Sequence, residues 1–339
     1  MYSELQSKIK LYCELGVFPG ASYAFIKNNK IEKYYVGAKQ LVPVIEQISP
    51  GILYDMASLT KVICTNTVIL HLWEQGKVAL DTPITTYLPE WHDTYVTLRH
   101  LLTHTSSINP FILNRNQLDQ QELKAALLSL KPGMDIGRKV TYTDTGTILI
   151  GFIIEHFYQK SVQKVFEDNV LSPLGMTRST FHPNNLKDVA PTEYSQKRGL
   201  IQGVVHDPKA SVLKEHCGSA GLFSTLDDTT LFAQMMLQQG CAVNGTQILQ
   251  KATVDALFDD WTLGKFGKRS LGWDLLQAND GHWMLYHTGY TGTWLIIDVV
   301  MQEAFVFLSN RVHPRDNRDE YLKRRDELIG LYNKLKTQE

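Results

Sequence analysis

No stretch of the 339-residue sequence is apolar for long enough to cross a bilayer, since its longest apolar run, Ile148 to Ile154, falls far short of the roughly 20 residues a spanning helix needs. That run reads as a core helix instead. Cysteine is scarce: Cys13, Cys64, Cys217 and Cys241 are scattered, without the paired spacings of a zinc site, and four thiols in so long a chain make no disulfide framework. Reduced thiols in the cytoplasm are expected, and Met1 to Leu15 contains no secretory apolar segment. A charge excess is missing too. With 34 basic residues against 35 acidic ones there is no global field to draw nucleic acid or an anionic membrane, so the expected partner is a neutral small molecule or a peptide. Internal repeats and low-complexity segments are absent. Hydrophobic content of 43% and charged content of 20% are globular values, and the length exceeds a usual single core, which predicts a large domain with an insertion or two domains.

Met1 to Leu15 alternates charged and apolar residues at helical spacing, with Leu5, Ile9 and Tyr12 on one side. Gly20 to Lys27 and Ile31 to Val36 are apolar or aromatic runs joined by the turn sequence Asn28-Asn29-Lys30, which predicts a hairpin. From Asp81 to about Asp207 the pattern changes to loops and helices: a short helix at Thr97 to Leu102, then helices at Gln117 to Leu130, Thr145 to Tyr158 and Val162 to Val170. Strand character returns in Trp283 to His287, Thr293 to Val300 and Ala304 to Leu308, close enough for an antiparallel meander. Asp319 to Leu335 carries Tyr321, Leu328, Leu331 and Tyr332 and reads as a closing helix packed on that sheet. The expected class is α+β: a discontinuous sheet domain from residues 1–80 and 208–339, with a mostly helical insertion at 81–207 forming one wall of a cleft.

The stretch Asp55-Met56-Ala57-Ser58-Leu59-Thr60-Lys61 introduces an apolar-periodic run, Leu59, Val62, Ile63, Ile69, Leu70 and Trp73, with Gly76 as a left-handed terminator. Residues three apart on a helix share a face with Cβ atoms about 5–6 Å apart, so the Lys61 amine can reach the Ser58 hydroxyl. The helix start adds backbone N–H groups and partial positive charge, which favour an oxyanion on a carbonyl attacked by Ser58. Ser7/Lys10, Ser161/Lys164 and Ser211/Lys214 repeat this spacing without further partners, so context decides. His100 and His104 have the spacing of a metal pair, but no glutamate follows His100 and a structural role is expected. Gly218-Ser219-Ala220-Gly221 reads as a turn at a cleft edge. The six tryptophans are expected in the core, with Trp273 and Trp294 the candidates for a substrate platform.

Tyr142-Thr143-Asp144 before a helix and His287-Thr288-Gly289 at a strand end supply that context. A Ser-x-x-Lys, a Tyr-x-Asn-like triplet and a Lys-Thr-Gly-like triplet, in this order, resemble the penicillin-recognising serine hydrolases. The resemblance is to the class C β-lactamase-like group of lactamases, esterases, DD-peptidases and D-amino-acid peptidases. It extends through Leu98 to Ser106, Pro173-Leu174-Gly175-Met176, Gly221 to Thr225 and His287 to Gly292, from about residue 20 to residue 311.

The resemblance implies the β-lactamase/transpeptidase-like fold and an acyl-enzyme on Ser58, with Lys61 and Tyr142 exchanging the proton and no cofactor or metal. It implies an oxyanion hole from the backbone N–H groups of Ser58 and Tyr290, and substrate contacts from Asp144, His287, Thr288 and Gly289. A free tyrosine has a pKa near 10, so Tyr142 as base needs a nearby cation, or Lys61 must share the task. Asp144 stands where asparagine is usual, and a carboxylate there tends to hold Lys61 protonated. His287 stands where the lactamases carry lysine, which favours uncharged substrates. An acyl-ester hydrolase is the first reading of the activity. A peptidase acting on D-amino-acid or cell-wall peptides is the second, and a non-catalytic ligand sensor on the same fold the third.

Overall fold

The computed structural model describes residues 2–115, 117–196, 198–265 and 268–336. Its frame is a seven-stranded antiparallel sheet. The strands are β1 (Gly20–Lys27), β2 (Lys30–Gln40), β3 (Glu46–Gln47), β4 (Asp274–Gln277), β5 (Trp283–Thr288), β6 (Trp294–Asp298) and β7 (Glu303–Ser309), in the spatial order β3-β2-β1-β7-β6-β5-β4. The first hairpin turns at Asn28 and Asn29, both with positive φ, which asparagine tolerates better than most residues. The predicted meander is β5-β6-β7. The edge strand β4 has no counterpart in the sequence reading, because it is only four residues long and polar at both ends.

Both faces of the sheet are covered, so its central strands read as continuous apolar runs. Period-2 alternation sends Tyr23, Phe25, Trp294, Ile296, Phe305 and Phe307 to one face. There they meet α1 (Ser3–Glu14), through Leu5, Ile9 and Tyr12, and α5 (Arg318–Lys336), through Tyr321, Leu328 and Tyr332. Ala24, Ile26, Leu285, Leu295, Ile297, Val306 and Leu308 point to the opposite face and join the larger core with the remaining helices. Those include α2 (Asn66–Glu74), α3 (Thr145–Tyr158) and α4 (Leu226–Leu237). The all-apolar stretch of α3, Ile148 to Ile154, is buried throughout, as a helix surrounded by core must be.

The same alternation positions chemistry. On β5, Met284 and Tyr286 belong with the α1/α5 face, so Leu285 and His287 face the larger helix layer. Trp273 and Trp294 are both buried, Trp273 stacked on Phe232 and Trp294 on Phe307, which corrects their expectation as a substrate platform. They fill the core because the glycines beside them serve turns rather than an open face. Among the described residues no helix is long and apolar enough to cross a membrane.

Candidate active site

Ser58 sits in a turn that the sequence makes by strain. Ala57 before it has φ 45, a left-handed conformation that costs a residue with a Cβ on the order of 1–3 kcal/mol. Asp55 supports the turn: its buried carboxylate accepts from the Ala57 N–H at 2.9 Å and from the His206 N–H at 2.7 Å. Thr291 Oγ1 donates to the Asp55 carbonyl at 2.7 Å and Thr293 Oγ1 to the Met56 carbonyl at 3.1 Å, which ties the turn to the loop after β5. Beyond Ser58 the helix opens with a π-turn at Lys61–Thr65 before α2 begins. It ends at Gly76 with φ 68, the predicted left-handed terminator.

Lys61 is buried and its ammonium spends three donors on three acceptors: Ser58 Oγ at 2.7 Å, the Ser219 carbonyl at 2.9 Å and Asp144 Oδ1 at 2.9 Å. Burial opposes the charge, but Asp144 and Tyr142 outweigh it and raise the Lys61 pKa above its ordinary value. Asp144 in turn is held below the usual carboxylate range, because Lys61 and Lys209 outweigh the effect of its burial. The Tyr142 ring, 45% exposed, lies 5.5 Å from Lys61 Nζ and 5.5 Å from the guanidinium carbon of Arg269. His104 packs against it with ring centroids 4.6 Å apart, and the His104 carbonyl accepts from the Thr141 N–H at 2.8 Å. His104 is thus a structural brace, and among the described residues no cluster has the make-up of a metal site.

His287 is 1% exposed, its ring 6.1 Å from that of Tyr142, and neither ring nitrogen makes a hydrogen bond of good geometry. Burial, reinforced by Arg269 and Lys61, pushes its pKa well below the ordinary imidazole value, so it is neutral at pH 7. At Gly289 a Cβ would stand 2.5 Å from the Met56 carbonyl oxygen and 2.2 Å from Thr293 Oγ1, so only glycine lets the loop approach the Ser58 turn. The Gly289 N–H donates to the Thr293 carbonyl at 2.6 Å. Among the described residues the backbone N–H groups of Ser58 and Tyr290 donate to no protein acceptor. The Tyr290 ring stacks on His206 at 5.6 Å and its hydroxyl donates to Asp316 at 2.6 Å.

These groups open onto one cleft of about 720 Å³, lined by Ser58, Tyr142, Asp144, His287, Thr288, Gly289 and Tyr290. The fold thus gathers residues singled out in the sequence, from three separate stretches, around one space. Four arginines also line it, Arg269, Arg311, Arg318 and Arg325, and so does His206. The sequence reading missed all of these, and it missed Lys209. Arg269 and Arg311 look like solvated loop residues until the fold buries them beside the cleft, and Arg318 and Arg325 look like the polar face of the closing helix, where Arg318 stays exposed. The Asp207-Pro208 pair, an N-cap followed by a first-turn proline, marked a helix start but gave no chemical hint about Lys209.

An antiparallel sheet with α1 and α5 on one face, a helix layer on the other, and a Ser-x-x-Lys helix at the cleft between them is the β-lactamase/transpeptidase-like architecture. A class C β-lactamase superposes with a TM-score of 0.77 at 19% identity, over 97% of this chain and 95% of that one. The octameric penicillin-binding protein homologue from Pyrococcus abyssi does so with a TM-score of 0.74 at 22% identity, over 96% and 77%. The chain belongs to the Beta-lactamase family, whose profile matches residues 8–328, and that is a family of serine hydrolases. Among curated proteins it is 28% identical to the "Putative D-alanyl-D-alanine carboxypeptidase" of Escherichia coli (strain K12), across 87% of this chain and 79% of that protein. It is 25% identical to the "N-acetylmuramyl-L-alanine amidase" of Bacillus subtilis (strain 168), across 87% and 78%.

Proposed function

We propose that the chain hydrolyses carboxylic esters or amides by transferring the acyl group to Ser58 Oγ and from there to water. The observation that carries this reading is the 2.7 Å contact between Ser58 Oγ and the buried Lys61 ammonium on the wall of the cleft. Held as an ammonium, Lys61 has no lone pair with which to take the serine proton. Tyr142 is therefore the base in this reading, and its ring lies 5.5 Å from both Lys61 Nζ and the guanidinium carbon of Arg269, two cations placed to favour transfer of the serine proton to it. Ser58 Oγ bonds to the carbonyl carbon while its proton passes to Tyr142. The carbonyl oxygen gains the negative charge opposite the Ser58 and Tyr290 N–H groups. Collapse breaks the bond to the leaving alcohol or amine, which takes the proton from Tyr142. Water then repeats the sequence on the acyl-enzyme and releases the acid.

Two substrate readings divide on which group faces the substrate. The neutral His287 supports uncharged esters, because no cation stands at that triplet to hold a carboxylate. The cleft arginines support an acyl donor that bears a carboxylate, such as a peptide ending in a D-amino acid, although Arg269, Arg311 and Arg325 each already pair with a protein carboxylate, Asp274, Asp316 and Asp326, and the names of the curated relatives point the same way. The second reading has the better support, since guanidinium groups stay charged at every working pH.

Intact-mass analysis after fluorophosphonate treatment tests the nucleophile. Labelling is expected in the wild type and lost in Ser58→Ala, and undiminished labelling of the variant overturns the assignment. An N-acyl-D-alanyl ester of D-lactate, compared with the same compound carrying its carboxyl group as a methyl ester, tests the substrate. The free acid is expected to show a kcat/KM about tenfold higher, which corresponds to one charge-assisted hydrogen bond. A faster methyl ester restores the neutral-ester reading.

A further inference from the structure

Asp144 carries a carboxylate where the family resemblance calls for an amide, and each of its oxygens is taken by a different lysine. Lys61 lies 2.9 Å from Oδ1 and Lys209 lies 2.6 Å from Oδ2. Lys209 comes from the first turn of the short helix Pro208–Leu213, whose N-cap Asp207 accepts from the Ala210 N–H, and Asp207 is a more distant second partner at 3.8 Å. The three nearest charges, Lys61, Asp144 and Lys209, sum to that of one lysine beside a neutral amide. A carboxylate alone at this position draws the Lys61 ammonium to itself, at the expense of its bonds to Ser58 Oγ and the Ser219 carbonyl. An amide at this position beside an intact Lys209 leaves the two lysines with only the more distant Asp207, 3.8 Å from Lys209, to offset their repulsion.

We propose that Lys209 is a positioning residue for Lys61: by neutralising Asp144 it makes the Asp144–Lys209 pair stand in for a neutral side chain, so that Lys61 stays on Ser58. Lys209 touches no reacting atom and acts through Asp144. This inference rests on Ser58 as the nucleophile. It concerns a residue that the catalytic triplets do not contain, and it explains how this chain accommodates an acid at the position of an amide.

The test is a cycle of four proteins, the wild type, Lys209→Met, Asp144→Asn and the double variant, with Lys209→Arg as the conservative substitution. Two measurements are made on each: the rate of Ser58 modification by a fluorophosphonate, and the midpoint of thermal unfolding. Each single substitution is expected to slow modification by about tenfold or more, with the double variant within about threefold of the wild type, and Lys209→Arg is expected to recover most of the rate lost in Lys209→Met. A wild-type rate in Lys209→Met, or a double variant no faster than the slower single, overturns the proposal. So does a cycle in which only the unfolding midpoint responds, because that is a structural ion pair and nothing more. If the wild type itself shows no labelling at Ser58, the functional reading fails. The proposal, which places Lys61 on that nucleophile, then falls with it, whereas a labelled wild type with a failed cycle overturns the proposal alone.

Discussion

Tyr142 is the residue at which the chemistry separates from simple binding. Its ring is half exposed to the cleft, yet it stands 5.5 Å from both Lys61 Nζ and the Arg269 guanidinium, so under the proposed function it faces the cleft and the two cations together. Replacing it with phenylalanine removes one oxygen and leaves the packing against His104 in place. Tyr142→Phe is therefore expected to lower kcat by about 10²–10⁴-fold, the usual scale for a lost general base, with KM little changed. Stopped-flow release of p-nitrophenol measures both, and a variant within threefold of the wild type removes Tyr142 from the base role. Lys61 and Ser58 were legible in the sequence because their i, i+3 relation is local. The arginines were not, since Arg269 and Arg325 lie 56 positions apart in the sequence (325 − 269) and meet only at the cleft.

Elements hold these residues at working distance, and the closest approach is between the Ser58 turn and the loop after β5. Gly289→Ala places a Cβ 2.5 Å from the Met56 carbonyl oxygen, a backbone atom that cannot swing aside. The loop must retreat by roughly an ångström, which carries the Tyr290 N–H away from the Ser58 carbonyl site. Misplacement of that size costs on the order of 10²-fold in rate, so Gly289→Ala is expected to lose that much in kcat/KM while circular dichroism stays native. Retained activity places the oxyanion donors elsewhere. Helices and strands themselves were largely readable from periodicity: α3 matches its predicted bounds, and β1 does as well. The π-turn at Lys61–Thr65 was not readable, because the same apolar spacing suits an α-helix and the shift depends on contacts such as the Thr65 hydroxyl with the Gly218 carbonyl.

At the scale of the whole molecule, His313 ties the segment after β7 to the segment after β2: its Nε2 accepts from the Leu41 N–H at 2.9 Å and its Nδ1 faces the Thr192 carbonyl at 3.2 Å. That pair of bonds needs a neutral ring. Burial lowers the His313 pKa to about 4 against the ordinary 6.5. The folded state thus binds its proton less readily than the unfolded one, so this contribution is complete above pH 6.5 and is lost as the pH falls toward 4. The difference amounts to roughly 3.5 kcal/mol at most, from about 1.4 kcal/mol per pKa unit. His287 and His104, both pressed well below the ordinary value chiefly by burial, act in the same direction. Urea unfolding is expected to show stability falling from pH 6.5 to 4, with a shallower slope in His313→Gln, and an unchanged slope clears His313 of the effect. Because the proposed acyl transfer draws its donors and base from the protein, dialysis against a chelator is expected to leave the rate of Ser58 acylation unchanged, and a loss restored by zinc overturns that expectation. The sequence by itself determined the local matters: the hairpin, the meander, the serine–lysine helix and its triplets, each set by periodicity, turn chemistry and spacing along a few residues. Only the tertiary structure decided the charge environment of the site. The second lysine on Asp144, the burial that keeps His287 neutral and the arginines that line the cleft come from segments far apart in the chain. Electrostatics depends on distance in space and on exclusion of water, and neither quantity is written along a sequence.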